Sequence, residues 1–579
     1  MEALADSEFR HLILLPGNRN DPLCCDLRTN TFEIEVAGKP LTITKSLEII
    51  LLRLRSSSHS RALWVDQMCI DQTNETEKSA QVQKMRSIYS NCTRALVWLG
   101  EIDDQIRREE AENAFTFLEY VAANFVNTSE GLRRPIPQRP KFMESMESFK
   151  AAMRALNTIG VNQCSWWHRV WTVQEAILPS DLIFVWGPFS LSWDAICPAI
   201  SNKGSIEALN FMTQEEYTTA IGIGGVHRLL THLAWVKCAK KGLTPMRSSI
   251  LWRNRAATDP RDSVYALTGL HTANTLPRSS KCDYSLDMNQ VFVNFTLDLI
   301  YSGKHAKSGD LCPLILDPWQ EDTEGTPALP RWTVDMRSSP AYDTNPWRSY
   351  RHYRFYKANK GLPITDRPEY TGESLRVPGV LVDAVEVLGD GYVCRGDNAS
   401  LFPSPRETII SWWKLYSHKK NQHLPFDLSD IPPTSCGVYG EFCSLLLGDL
   451  LYFSKIERWL RTNIEEMRKV VCYLRTGEGD LTREQLGLQL KNRRFFITRE
   501  GLIGLGHLET TPGDEVWVLN HGRVPFTLRA RGSPTTPSEK KGEDYIFVGH
   551  CYVQGIMHGL AADGERDVTD LEQRILCLY

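Results

Sequence analysis

The stretch LWVDQMCIDQTNETEKSAQVQKMRSIYSNCTRALVWLGE, residues 63–101, decides the fold of the first part of the chain. The apolar run at 62–65 predicts a short strand that ends at Asp66, and TRALVWL at 93–99 predicts a second one. Two strands separated by a helix within about 35 residues are typical of a right-handed βαβ unit. The pattern therefore predicts an α/β domain with a mainly parallel sheet.

The segment between these strands predicts a helix. Glu75 and Glu77 mark its beginning, since acidic side chains are favourable in the first turn. Val82, Met85 and Tyr89 then recur at helical spacing, which places them on one apolar face.

Composition patterns divide the chain into four regions. Residues 1–190 carry the α/β pattern, and 191–310 read as a helical region that completes its core. Residues 311–440 are rich in Pro, Gly and acidic side chains and predict irregular linkers. Residues 441–579 begin with a helical patch and end in short β-like runs, which predict a small β-rich domain: RRFFIT, EVWVLN, VPFTLRA and YIFVGHCYV. The segment GSPTTPSEKKGED at 532–544 predicts a mobile hairpin loop.

Charge and composition exclude several classes of protein. The 579 residues are 42% hydrophobic, which excludes a disordered or collagen-like chain. Lys and Arg number 66 against 70 Asp and Glu, so the net charge of -4 gives no field that would attract nucleic acid.

The same features predict a soluble cytoplasmic protein without a membrane span. The acidic start MEALADSEFR lacks the basic region of a secretory signal, and every apolar run is too short to cross a bilayer. The 15 cysteines are scattered and form no C-x-x-C pair, which indicates reduced thiols and no metal site.

Polar side chains follow the first predicted strand. In an open parallel sheet, ligands bind beyond the carboxyl ends of the strands. Asp66, Asp71 and Gln72 lie at that position and suit the hydroxyl groups of a ribose or another polar ligand. The alternative is that they cap the next helix and order the loop.

The segment SWWHRVWTVQEAIL, residues 165–178, predicts one helix of high aromatic density. Trp167, Trp171, Glu175 and Leu178 would then share one face, which places a carboxylate on an apolar stripe. Desolvation would raise the pKa of that carboxylate and suit it to acid or base chemistry. Glu175 is therefore a candidate catalytic residue.

An alternative reading makes this region structural. Glu175 would pair with a guanidinium from another element, for which Arg169 and Arg261 are the candidates. Trp166, Trp167 and Trp171 would belong to the core and not to a ligand cage, since large aromatic side chains dominate core area.

Three separated blocks resemble the fungal heterokaryon incompatibility (HET) domain. Residues 63–101 are similar to its W-I-D-x-x-C-I-N-Q, E-K, Q-V, M-x-x-I-Y and V-x-x-W-L-G pattern. Residues 165–178 resemble its W-x-x-R-x-W-T-x-Q-E block, and ATDPRDSVYALTGL at 257–270 resembles D-P-R-D-x-V-Y-A-L. RRFFITREGLIGLG and the β-like runs after it are similar to the carboxyl-terminal region of many HET proteins.

The sequence departs from the family pattern in two places. The usual opening strand, Y-x-A-L-S-Y-x-W-G, is missing, because CCDLRTN runs directly into TFEIEVAGKPLTITKSL. A true deletion would leave the sheet without a strand and its ligand edge incomplete, whereas a gene-model error would mean a longer natural protein. Asp71 stands where the family usually has Asn.

The resemblance implies a nonself-recognition protein that triggers growth arrest or programmed cell death. HET domains have been likened to TIR domains, some of which cleave NAD with a glutamate on an S-x-W helix. Ser165, Trp167 and Glu175 are similar to that arrangement. The resemblance thus also implies NAD as a substrate, and no required cofactor.

Three hypotheses follow for the chain. The first is an effector that acts through association with proteins of the incompatibility response, including copies of itself. The second is an NAD-cleaving enzyme in which Glu175 is catalytic and Asp66, Asp71, Gln72 and Trp167 bind the substrate. The third is an inactive member of the family that serves as a scaffold.

Overall fold

The computed structural model describes most of the chain in two units. The described residues are 12–14, 31–36, 39–129, 138–161, 163–196, 211–302, 310–315, 329–337, 353–362, 366–394, 403–420, 438–453, 458–531, 543–559 and 572–579. The N-terminal unit contains Met1–Asn274 and Ser279–Asp287, and the C-terminal unit contains Thr275–Arg278 and Met288–Tyr579.

The N-terminal unit is a mixture of helices and short strands. Its strands are β1 (Leu12–Leu14), β2 (Thr31–Val36), β3 (Lys39–Thr44), β4 (Arg61–Leu63), β5 (Ala95–Trp98), β6 (Leu182–Trp186) and β7 (Phe189–Ser192). Its helices are α1 (Lys45–Leu54), α2 (Asp66–Cys69), α3 (Glu75–Asn91), α4 (Arg108–Ser129), α5 (Met146–Thr158), α6 (Thr172–Ile177), α7 (Trp193–Ile196), α8 (Gln214–Gly222), α9 (Val226–Lys240), α10 (Pro245–Trp252) and α11 (Asp262–Thr268). Short 3-10 helices span Lys141–Glu144 and Ser165–His168.

The two strands that flank α3 lie in separate ladders of the described residues, which corrects the predicted βαβ unit. β4 pairs antiparallel with β1, whereas β5 pairs parallel with β6, and β6 pairs antiparallel with β7. The unit's described ladders are therefore mixed in direction. The sequence pattern located both strands correctly. It could not show which strands they pair with, because the partner of β5 lies more than 80 residues further along the chain.

Helix α3 forms where the sequence predicts it. Asn74 caps it by accepting a hydrogen bond from Glu77 N at 3.1 Å. Arg86 fixes the middle of the helix, since its Nη1 donates to the carbonyls of Gly269 at 2.6 Å and His271 at 3.0 Å. The helix is thereby held against the residues that follow α11.

The C-terminal unit combines helices with a large sheet. Its helices are α12 (Met288–Ile300), α13 (Arg406–Lys419), α14 (Val438–Leu447), α15 (Ile464–Thr476) and α16 (Asp480–Leu490), with a 3-10 helix at Cys312–Ile315. Its strands are β8 (Glu369–Tyr370), β9 (Leu375–Tyr392), β10 (Leu450–Phe453), β11 (Arg458–Arg461), β12 (Arg493–Thr498), β13 (Ile503–His507), β14 (Glu515–Leu519), β15 (Phe526–Ala530), β16 (Glu543–His550), β17 (Tyr552–Val553) and β18 (Gln573–Leu578).

Five of these strands close into a barrel. Strand β9 pairs with β14, β14 with β15, β15 with β16, β16 with β18, and β18 with β9 again. Closure leaves this ring without an unpaired edge. The second half of β9 continues into a branch formed by β12, β13 and β17. The predicted β-rich C-terminal region is confirmed.

The long strand β9 corrects the prediction of irregular structure for 311–440. Its sequence, LRVPGVLVDAVEVLGDGY, contains proline and glycines that resemble turn signals. One of these glycines, Gly389, is explained by the close packing of Trp412 on the strand. A Cβ at Gly389 would lie 2.5 Å from Cδ1 of Trp412. Glycine is needed there because α13 packs directly on the strand.

Two sequence predictions concern residues outside the described part. Most of the predicted mobile hairpin loop lies at 532–542, and the CCDLRTN segment lies at 24–30; neither is described by the structure. Within the described residues, no helix has both the length and the apolar character required to cross a bilayer.

Candidate functional site

The aromatic segment at 165–178 is broken rather than one continuous helix, which corrects the prediction. The chain leaves the 3-10 helix after His168 and begins α6 at Thr172. Backbone hydrogen bonds to Ala256 hold the break, because Val170 N donates to its carbonyl at 3.0 Å and Ala256 N donates to His168 O at 2.6 Å. The helical stripe predicted for Glu175 is therefore replaced by a different set of neighbours.

Trp166 is the side chain that binds Glu175. Its Nε1 donates a hydrogen bond to Oε2 of Glu175 at 3.2 Å. The glutamate is partly buried, and among the described residues no arginine forms an ion pair with it. The predicted alternative, a carboxylate clamped by a guanidinium, is thus not seen in the described part of the chain.

The pKa of Glu175 is raised to about 7, mainly by burial and also by the charge of the Asp66 carboxylate. The positive charge of Arg169, the Trp166 hydrogen bond and the charge of Arg255 act against this rise. At neutral pH the carboxyl group is therefore divided between its protonated and ionised forms, the condition that suits a proton donor or acceptor.

Asp66 reaches this site from the end of β4. It is the first residue of α2, and its Oδ1 accepts a hydrogen bond from Gln67 N at 2.8 Å. Its charge acts on both Glu175 and Tyr89. The charge at the end of the loop after β4 thus acts on the glutamate of α6.

Tyr89 completes the neighbourhood and was not recognised as a site residue. It lies near the end of α3, where its ring meets Trp64 edge to face with centroids 5.6 Å apart. Burial raises the pKa of its hydroxyl well above the usual value, with Glu175 and then Asp66 adding to the rise. The hydroxyl therefore stays protonated. The helical spacing of Tyr89 placed it on the apolar face of α3, so the sequence pattern did not indicate a role for its hydroxyl group.

Asp71 and Gln72 make hydrogen bonds within their own loop. Oδ1 of Asp71 accepts from Thr73 N at 3.0 Å and from Thr73 Oγ1 at 2.7 Å. Nε2 of Gln72 donates to the carbonyl of Asp66 at 3.2 Å. These contacts favour a role in shaping the loop that presents Asp66.

Trp167 lies in the core. It is 2% exposed, its Nε1 donates to the carbonyl of Ile159 at 2.9 Å, and its ring stacks on Phe184. This position favours the structural alternative for Trp167, while its neighbour Trp166 makes the polar contact.

Arg261 and Arg255 make structural contacts. Arg261 binds Asp259, with Nη2 and Oδ2 2.8 Å apart, and donates to two backbone carbonyls. Arg255 is buried and donates to Thr172 Oγ1 at 2.7 Å, which ties it to the start of α6. Burial lowers the pKa of Arg255 to about 10, although Glu175 acts in the opposite direction.

The arrangement offers two carboxylates, a phenol hydroxyl and a nearby cation. Acceptors of this kind bind sugar hydroxyls and can stabilise positive charge that develops in a reaction. Across the described residues, no group of three His, Cys, Asp or Glu side chains is placed to hold a metal ion.

Comparisons with known proteins match one family model in each of the two units. Residues 17–175 match the family model for heterokaryon incompatibility protein (HET), and residues 476–570 match that for the Het-6 beta-barrel domain. In the structure, β9 and β18, which lie outside the second match, complete the barrel.

A curated relative extends the likeness over most of the chain. The sequence is 32% identical to heterokaryon incompatibility protein 6, OR allele, of Neurospora crassa, over 92% of this chain and 88% of that protein. No solved structure matches the chain. On this evidence, the chain belongs to the heterokaryon incompatibility (HET) protein family.

Proposed function

We propose that this chain acts in fungal heterokaryon incompatibility, as a nonself-recognition effector that promotes growth arrest or programmed cell death through association with protein partners in the cytoplasm. The observation that carries the proposal is its likeness to the Neurospora incompatibility protein, which spans both the HET match and the barrel match. Copies of the chain itself are included among the proposed partners.

A second candidate function is the cleavage of NAD by a TIR-like active site. The observation that favours it is the raised pKa of the Glu175 carboxyl, to which the charge of Asp66 contributes, because a carboxyl group that is partly protonated at neutral pH is typical of glycoside-cleaving sites. The likeness to heterokaryon incompatibility protein 6 carries no information on such chemistry.

In this reaction the bond between the ribose C1′ and the nicotinamide nitrogen breaks, and its electron pair leaves with nicotinamide. Water then adds to C1′ and gives up a proton, so the products are ADP-ribose, nicotinamide and a proton. Ionised Glu175 would stabilise the positive charge that develops on the ribose. Asp66 and Tyr89 would bind ribose hydroxyls, and Gln72 would hold the Asp66 loop.

The experiment is conditional expression of the full chain in a fungal host, with viability and total NAD measured together. Three chains are compared: wild type, Glu175→Gln and Glu109→Gln, a control that removes an exposed carboxylate on α4. We expect growth arrest in wild type and in the control.

The NAD measurement then separates the mechanisms. Arrest with unchanged NAD in all three chains supports action through protein association and overturns NAD cleavage. Loss of NAD in wild type and control but not in Glu175→Gln supports cleavage instead. Normal growth with every chain overturns the effector proposal and favours the inactive scaffold.

A further inference from the structure

The loop between α1 and β4 presents serine hydroxyls within a positively charged segment. From the last turn of α1 to the first residue of β4 the sequence reads RLRSSSHSR, residues 53–61. This segment has three arginines and no acidic residue. Residues 57–60 are all exposed. Neither candidate function uses this loop.

Ser58 differs from the other serines of the loop in the residues that precede it. Arg55 and Arg53 stand three and five positions before it, whereas Ser60 has a serine at the third position. Serine kinases that select basic substrates hold arginines at these two positions with carboxylates of the kinase cleft, since paired charges distinguish the substrate from other exposed serines. Ser58 therefore fits the substrate pattern of a basic-directed serine kinase.

The local structure makes this serine accessible. Helix α1 ends at Leu54, and Arg55 has already left it, with a φ of -62° and a ψ of 129°. Oγ of Ser58 lies 3.1 Å from Nδ1 of His59 and 3.5 Å from Oγ of Ser56. Both of these contacts are within the loop, so modification of the hydroxyl breaks neither a core contact nor a helical hydrogen bond. Exposed loops of this kind are the segments on which other enzymes act most readily.

Arg53 is held by an ion pair that a kinase can replace. Its Nη2 lies 2.5 Å from Oε2 of Glu101, and its Nε donates to Oε1 at 3.2 Å. The side chains of Arg53 and Glu101 are 17% and 34% exposed, so both reach solvent. An ion pair that reaches solvent contributes little to stability. A carboxylate of the kinase can therefore take the place of Glu101.

We propose that Ser58 is a phosphorylation site of a basic-directed serine kinase. In this reaction Oγ of Ser58 forms a bond to the γ-phosphorus of ATP, and the bond from that phosphorus to the bridging oxygen of ADP breaks. The products are phosphoserine, ADP and the proton of the hydroxyl. The phosphate carries a charge of about -1.5 to -2 at neutral pH, and Arg55 and Arg61 supply opposite charge within the same segment.

The test incubates the purified full chain with radiolabelled ATP and protein kinase B, which selects arginines three and five positions before its serine. Initial rates give kcat/KM, and mass spectrometry locates the phosphate. The variants are Ser58→Ala, Arg55→Gln and Arg55→Lys. Ser60→Ala is the matched control, because Ser60 is an exposed serine of the same loop.

Wild type and Ser60→Ala are expected to be phosphorylated at Ser58 at equal rates, and Ser58→Ala should lose the label from this loop. Arg55→Gln should lower kcat/KM at least about tenfold, since a charged contact with the kinase is lost. Arg55→Lys should retain part of the rate, because it keeps the charge without the geometry of the guanidinium. Thermal unfolding of both Arg55 variants checks that they are folded.

Three results would overturn the proposal. The first is wild type without phosphate at Ser58, and the second is equal kcat/KM for wild type and Arg55→Gln. The third comes from the chain recovered in the fungal expression experiment: a Ser58 peptide that carries no phosphate would show that the cell does not use the site. None of these results depends on whether the chain cleaves NAD.

Discussion

Trp166 donates a hydrogen bond from its Nε1 to Oε2 of Glu175 at 3.2 Å, across the break that separates the 3-10 helix from α6. Asp66 and Glu175 also act electrostatically on each other and on Tyr89. The break in the helix therefore decides that Trp166 is the tryptophan that binds Glu175.

The first prediction concerns this contact. Trp166→Phe removes a donor that favours the ionised carboxylate, so the pKa of Glu175 should rise above about 7. The measurement is the pH dependence of the free energy of unfolding, with Glu175→Gln as the reference that lacks the titration. A midpoint unchanged by Trp166→Phe would contradict the assigned contact.

Trp167 should behave differently from its neighbour. Trp167→Phe leaves the carbonyl of Ile159 without its donor in the core, so we expect the N-terminal unit to lose about 1–3 kcal/mol of stability. The pH midpoint assigned to Glu175 should not move. Urea denaturation at several pH values measures both quantities, and a shifted midpoint would show that Trp167 belongs to the site.

The sequence indicated candidate side chains of this region but not their contacts. Glu175 was selected because a carboxylate is unusual on an aromatic segment, and Asp66 because it follows the first predicted strand. Tyr89 was concealed by its apolar spacing, and Trp167 was chosen over Trp166 because the pattern suggested one unbroken helix. The break depends on hydrogen bonds to Ala256, far along the chain, which no local pattern contains.

The same distinction applies to the fold. Local patterns located α3 and the barrel strands β14, β15 and β16, since periodicity and turn residues are local signals. They did not identify the partner of β5 or the long strand β9, because pairing is decided by distant residues. The glycines of β9 resemble turn signals in the sequence, but one of them is needed because Trp412 packs against it.

A second pH-dependent group lies in the same unit. Burial lowers the pKa of His271 to about 4, and the charge of Arg86 adds to the effect, while Ser248 Oγ lies 2.7 Å from its Nε2. The histidine is neutral in the folded chain. Burial of the neutral imidazole therefore makes its full contribution to the free energy of unfolding above pH 6.5, the ordinary pKa of histidine. This contribution is lost as the pH falls toward about 4.

His271→Gln should remove this acid-dependent loss. Between pH 6.5 and 4, wild type should lose up to about 3 kcal/mol of unfolding free energy relative to the variant. Denaturation of both chains across this range is the measurement. Parallel stability profiles would show that the imidazole titrates normally in the folded chain.

A side chain at Gly269 should displace the buried amide group of Gln174. A Cβ there would lie 2.3 Å from Nε2 of Gln174, which donates to Ala266 O at 2.9 Å and anchors α6. We expect Gly269→Ala to destabilise the N-terminal unit by about 1–3 kcal/mol, the usual cost of overpacking. Gly222→Ala is the control, since a Cβ at Gly222 has open space around it.

Thermal unfolding of both glycine variants measures the difference. Equal stabilities of Gly269→Ala and Gly222→Ala would mean that Gln174 moves away without cost, and that α6 does not depend on this contact.

The pH dependence of the stability of Asp66→Asn tests most directly whether Asp66 and Glu175 share one site. Because the pKa of Glu175 is raised, wild type should lose up to about 3 kcal/mol relative to Glu175→Gln as the pH rises from 4.5 to about 7, with no further loss above that. Asp66→Asn removes the neighbouring charge, so the account predicts that the Glu175 midpoint moves below 7. A midpoint at the same pH in wild type and Asp66→Asn would contradict a shared site.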